Sequence, residues 1–141
     1  MLYYLKKYNK TIGIICLITV LSLLNTSNIK TDSFKIIPHF DKVVHFLMYF
    51  TLGFVFMFEY YLHHHKTLKR ISKILILPLI YGGIMEILQF SMTNYRSGDW
   101  WDMLANGCGI IAAFFAVSLF KNNSFIKTCV LFPYRQSKFI T

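Results

Sequence analysis

Charge is what this sequence has least of, and acidic charge above all. Only 15% of its 141 residues are Asp, Glu, Lys or Arg, and 6 of these are acidic. A soluble domain carries about 25% charged residues, so this chain has too little charge to cover a water-facing surface of its own size. Cysteine is scarce as well. Of the 3 present, Cys16 and Cys108 sit inside apolar runs and Cys129 lies near the end, which suggests no disulfide framework. There is no Gly-rich phosphate loop, no Gly-x-Ser-x-Gly elbow, no paired-cysteine metal site and no Rossmann fingerprint. No internal repeat or low-complexity segment is visible. No segment between the apolar runs exceeds about 20 residues, which excludes a separately folded domain for a large soluble substrate.

What is present is apolar and basic. Hydrophobic residues make up 55% of the chain and aromatic residues 18%, a composition that excludes disorder. The formal charge is +9, but the basic residues form short clusters at the edges of apolar segments. That is the pattern of membrane topology, not of a nucleic-acid-binding face, so no nucleic acid partner is expected.

Crossing a bilayer core takes about 20 mostly apolar helical residues. Residues 43–62, 71–92 and 103–120 meet or nearly meet this length, interrupted only by Glu59, Lys73 and Glu86. The run 11–24 is shorter and follows Lys6, Lys7 and Lys10, as the core of a signal peptide would. No small-residue cleavage site follows it, so it is read as a retained short span with tilt or thinning absorbing the mismatch. The expectation is an all-α integral membrane protein of four transmembrane helices forming one domain. Eleven of the 15 basic residues fall before the first run, between the second and third or at the start of the third (Lys73), or after the fourth; Lys30, Lys35, Lys42 and Arg96 fall on the other side. The positive-inside rule then puts both termini in the cytoplasm. Membrane lipids are the expected surroundings.

The acids follow the opposite rule. Asp32, Asp41, Asp99 and Asp102 lie in or at the ends of the outer connections, Glu86 lies about two turns inside the third span, and Glu59 alone is on the inner side. Helical spacing sharpens this outward cluster. Asp41, His45, Tyr49 and Gly53 recur every fourth residue, Glu86 and Gln89 share a face, and Asp99, Asp102 and Asn106 follow steps of three and four. Ser97 or Asp99 suits the N-cap of the fourth span. A carboxylate such as Glu86 within hydrocarbon is costly enough to mark a functional site.

These residues resemble a family. Asp41-Lys42-x-x-His45-Phe46-x-x-Tyr49, Glu86-x-x-Gln89 and Arg96-x-x-Asp99-x-x-Asp102-x-x-x-Asn106-x-x-Gly109 look like the VanZ-like membrane proteins. The resemblance covers residues 41–113, and the three blocks occur in order. Trp100 and Trp101, and the triple His63-His64-His65, depart from the pattern. The resemblance implies a small multi-pass protein of a bacterial cell membrane. The namesake of that family is linked to resistance to teicoplanin, a glycopeptide antibiotic carrying a lipid tail. It further implies action on or near cell-envelope components, with lipid-linked wall precursors or lipoglycopeptides as partners.

Three readings of the cluster stand side by side. As a ligand site it would use Asp41, Lys42, His45, Tyr49, Glu86, Gln89, Arg96, Asp99, Asp102 and Asn106. As an enzyme transferring or hydrolysing a lipid-linked phosphate head group, it would use His45, Glu86 and Asp102 as catalytic candidates. In that reading Asp99, Asp102 and Glu86 would hold a divalent metal or orient the histidine, and Lys42 with Arg96 would bind phosphate. No cofactor other than such a metal is indicated. As a scaffold, or the structural or regulatory partner of another membrane protein, the same groups would pair with one another and lock three helices together. The reading preferred is the non-catalytic site.

Elsewhere the bland reading prevails. His63-His64-His65 lacks carboxylate partners for a metal. Tyr60, Tyr61, Trp100 and Trp101 fit interfacial belts, and the other aromatics fit packing or lipid contact. Pro78, with Gly82 and Gly83 a turn later, predicts a kink and room beneath Glu86. Phe125 to Phe132 is too short to span and is expected on the inner membrane surface or mobile.

Overall fold

The computed structural model describes residues 7–23, 40–64, 68–92 and 100–132, and every regular element among them is a helix. In chain order these are α1 (Asn9–Leu23), α2 (Phe40–His64), α3 (Leu68–Ile74), α4 (Ile76–Met92), α5 (Trp100–Phe120) and α6 (Ser124–Leu131). Three stretches are long and apolar enough to cross a membrane: Phe40–His64, Lys69–Ser91 and Trp100–Phe120. They coincide with the expected spans 43–62, 71–92 and 103–120, but each starts two or three residues earlier. The added residues include Asp41, Lys42 and Asp102, polar groups that end an apolar run without ending a helix. The first helix has 15 residues, about 22 Å at 1.5 Å per residue, short of a hydrocarbon core of about 30 Å.

Pro78 explains the division between α3 and α4. It has no N–H to offer the carbonyl of Ile74, and its ring crowds that carbonyl. The helix stops at Ile74, Leu75 forms a turn, and the chain resumes at Ile76. The next helical bond, from Leu79 N to Leu75 O, is stretched to 3.4 Å. The predicted kink is therefore a short break at Leu75, three residues before the proline.

The four long stretches alternate in direction. Thr11 of α1 meets Glu59 near the end of α2, while Ser22 meets Gln89 near the end of α4. Lys42 and Asp102 join the first turns of α2 and α5, so those two helices run parallel. One end of the bundle thus gathers the starts of α1 and α3, the ends of α2 and α5, and α6. Lys7, Lys10, Lys69, Arg70, Lys73, Lys121 and Lys127 lie at this end. Lys42 is the one described Lys or Arg at the other.

The tightest junction is between α2 and α5. A Cβ on Gly109 would strike the Phe46 carbonyl oxygen and come within 2.9 Å of Phe50 N, so the two backbones touch there. One turn further on, Ala113 Cβ would lie 3.2 Å from a Cβ on Gly53. Small residues at such a crossing let backbones approach where hydrophobic force cannot drive helices together. Around it lie two core clusters. Ile18, Tyr49, Leu52 and Ile110 form one. Met57, Phe58, Leu62, Ile71, Ala113 and Val117 form the other, with Ile126 and Val130 of α6 packed against it.

The first helix is held by polar bonds. Glu59 accepts from Thr11 Oγ1 at 2.6 Å and from Thr11 N at 3.3 Å. Tyr81 Oη donates to Ile15 O at 3.1 Å and lies 2.9 Å from Thr19 Oγ1. Gln89 Nε2 donates to Ser22 O at 3.0 Å. These bonds join α1 to both α2 and α4 along its length.

The outer surface reverses the usual order of polarity. Ile87, Phe90, Phe115 and Leu119 are exposed, whereas His45, Glu59, Gln89, Asp102 and Asn106 are buried. In water such a continuous apolar surface would aggregate; in hydrocarbon it matches its surroundings.

Gly109→Ala is expected to cost at least the roughly 1–3 kcal/mol of ordinary overpacking, because backbone atoms of α2 cannot rotate away as a side chain can. Gly107→Ala is the control, since its nearest neighbour is Leu79 Cδ2 at 3.9 Å. Thermal unfolding of the two purified variants in detergent should show a large loss for the first and little change for the second.

Candidate functional site

At the end where α2 and α5 begin and α4 finishes, polar side chains from three helices meet. Each is brought there by its helical register. On α2, His45, Tyr49 and Gly53 face inward on one stripe, while Asp41, at the head of that stripe, is exposed. On α5, Asp102, Asn106, Gly109 and Ala113 are the buried stripe, so the groups that make the backbone contact also turn the two polar residues toward α2. Glu86 enters from α4, half-buried.

The centre is a chain of hydrogen bonds. Asn106 Nδ2 donates to Glu86 Oε1 at 3.0 Å, which leaves Asn106 Oδ1 to accept from His45 Nδ1 at 3.1 Å. That arrangement puts the imidazole proton on Nδ1, a hydrogen Glu86 Oε1 also approaches at 3.5 Å. The opposite nitrogen, Nε2, faces Asp102 Oδ2 across 3.9 Å. Asp102 is joined in turn to Lys42, whose Nζ lies 3.1 Å from Asp102 Oδ1 and 3.1 Å from Asp41 Oδ2. Side-chain exposure falls from 46% at Asp41 through 21% at Lys42 to 7% at Asp102 and 4% at His45, so the network runs from the surface inward.

The charge count differs from what Lys42 alone suggests. Among the described residues, three carboxylates face one lysine, and that lysine bridges two of them. Its ammonium is neutralised where it stands, so phosphate recognition would fall to Arg96, which lies outside the described residues together with Ser97 and Asp99. No group of three or more His, Cys, Asp or Glu side chains among the described residues is placed to hold a metal ion. What the arrangement can do is orient one imidazole, with its proton set by Asn106 and Glu86, at the inner end of a carboxylate-lined entry.

Two expected members are placed differently from the rest. Gln89 is buried and reaches α1 through Ser22 O. Tyr49 is 1% exposed, lies against Gly82 at the centre of the bundle, and its hydroxyl has no hydrogen-bond partner among the described residues. A Cβ on Gly82 would lie 3.0 Å from Tyr49 Cε1 and 3.7 Å from Asn106 Nδ2, so glycine there makes room for both side chains.

At the opposite end, His64 Nε2 lies 3.1 Å from Lys7 Nζ and 3.1 Å from Tyr8 Oη, and its ring packs on Tyr60 at 4.7 Å. His65 is outside the described residues. The sequence reading also passed over the Thr11–Glu59 pair. The signal was available, because both residues adjoin lysine-rich ends and therefore share a depth.

Fold and site together define the class: among the described residues every regular element is a helix, three stretches are long and apolar enough to cross a membrane, and polar side chains are drawn inward between them. The family model VanZ/LLP1 matches residues 6–121, most of the chain, and the protein belongs to that family. The match takes in α1 as well as the motif region 41–113. No curated protein and no solved structure matches the chain significantly.

Asn106→Leu should destabilise the fold more than Glu86→Gln. The first strips partners from both His45 and Glu86, each loss costing about 1–3 kcal/mol, whereas the second keeps an acceptor for Asn106 Nδ2. Chemical or thermal unfolding of both variants in detergent at one pH checks the order.

Proposed function

We propose that this protein is a multi-pass component of a bacterial cell membrane, one domain of four spans with both termini in the cytoplasm. Its site formed by α2, α4 and α5 faces outward. In this reading it lowers sensitivity to lipophilic glycopeptides such as teicoplanin by binding, without catalysis, at or near lipid-linked envelope components in the outer leaflet. Membership of the VanZ/LLP1 family supports the class of function. The observation that carries the reading is the network of buried His45, Asn106 and Asp102 with half-buried Glu86 at the end opposite the lysine-rich one. Polar groups buried among membrane helices are costly and persist where function uses them.

The alternation of helix directions supports the orientation. If α2 and α5 run inward and the α3–α4 stretch outward, the basic cluster lies in the cytoplasm, as the positive-inside rule requires. The 15-residue first helix spans by means of tilt, local thinning or flanking residues.

A second reading, a membrane enzyme acting on a lipid-linked phosphate, draws support from the imidazole held by its Nδ1 proton with Nε2 turned toward Asp102. General acid–base chemistry needs such a histidine. The two readings part at His45→Gln, which an enzyme would not survive and a binding site tolerates.

Expression in a susceptible bacterial host should raise the inhibitory concentration of teicoplanin. Glu86→Gln and Asp102→Asn should abolish the rise at equal membrane abundance, and His45→Gln should retain part of it. No rise with the native chain, or an undiminished rise with both acidic variants, would reject the proposal. Single cysteines placed at residues 66 and 94 of a cysteine-free form should be labelled by a membrane-impermeant maleimide in intact cells only at residue 94.

A further inference from the structure

A second feature of the bundle is unrelated to the outward network. A cavity of about 230 Å³ lies among α1, α2 and α4. Its floor is Leu52 and Phe56 of α2, one wall is Thr11 and Ile15 of α1, and the other is Leu77, Pro78 and Tyr81 of α4. With α2 as the floor, the slot opens sideways between α1 and α4. Leu77 and the nearby Ile80 are exposed on that flank, at 54% and 53%.

The lining decides the occupant. The Thr11 hydroxyl is committed to Glu59 and the Tyr81 hydroxyl to Ile15 O, so the slot offers a ligand no polar group of its own. An engineered apolar cavity of about 150 Å³ stays dry and takes up an apolar guest, because water finds no partners there and a void forfeits dispersion contacts. A larger slot with an apolar lining suits an apolar chain in the same way. The charge at its mouth selects the lipid. Lys73 is exposed and lies four residues before Leu77, across the break at Leu75, while Lys7 and Lys10 on α1 are engaged with His64 and the Cys129 carbonyl. The one described acid at this end, Glu59, is buried against Thr11.

We propose that the slot between α1 and α4 binds one anionic phospholipid, its acyl chain seated between Leu52, Phe56 and Pro78 and its phosphate held at Lys73. The inference rests on the membrane reading above and is independent of the outward network and its ligand.

The test uses the full chain reconstituted in nanodiscs of mixed phosphatidylglycerol and phosphatidylcholine. After extraction into mild detergent, lipid retained per protein is counted by native mass spectrometry. The native chain should hold one phosphatidylglycerol in preference to phosphatidylcholine. Leu77→Trp, a change at an exposed site that fills the mouth, should reduce retention about tenfold, and Lys73→Gln should erase the preference for the anionic lipid. Retention unchanged by Leu77→Trp, or equal retention of both lipids by the native chain, overturns the proposal. Incorporation into the nanodiscs is scored on the same samples. A chain that incorporates yet binds lipid indifferently overturns the slot alone, whereas a chain that does not incorporate overturns the membrane reading with it.

Discussion

The contact on which the rest of the structure depends is the meeting of two backbones, α5 at Gly109 with α2 at Phe46 and Phe50. Nothing larger than a hydrogen fits at that glycine. Once the two parallel helices are this close, their rotation and relative height are set within a fraction of a turn. Asp102 and Asn106, two turns and one turn before Gly109, must then face Lys42 and His45. The polar network is a consequence of a steric fit made one turn deeper.

That fit also answers an energetic problem. A carboxylate, an imidazole and an amide cannot be left unpaired among apolar helices without a cost of several kcal/mol each. Each of them here has a partner on a different helix: Asn106 between His45 and Glu86, Asp102 against Lys42. The same device recurs at α1, a short helix attached through Thr11, Thr19 and Ser22 to three polar side chains of its neighbours. Polar bonds between helices thus do work here that apolar burial does in a soluble core. The difference is that each such bond also fixes a register.

The two ends of the bundle are chemically unlike. One is basic and closed by α6, with Lys10 donating to the Cys129 carbonyl and His64 enclosed by Lys7, Tyr8 and Tyr60. The other holds Asp41, Glu86, Asp102 and the buried His45. Between them lies the apolar cavity lined by α1, α2 and α4. The two ends of the bundle therefore differ in surface chemistry from each other and from the apolar flank between them.

Much of this was legible in the residues. The three long spans, the separation of acids from bases, the inward stripe of His45 and Tyr49 and the break near Pro78 all follow from hydropathy, charge placement and helical period, because those are local properties of a chain. The family, too, is carried by motifs within single helices. Tertiary structure decided the pairing. It turned Gln89 toward Ser22, set Lys42 between two carboxylates, joined Glu59 to Thr11 across 48 positions and left Tyr49 against Gly82. Period tells which residues share a face of one helix, but which face meets which neighbour, and at what height, depends on contacts between segments far apart in sequence. Those are fixed only when the backbones meet.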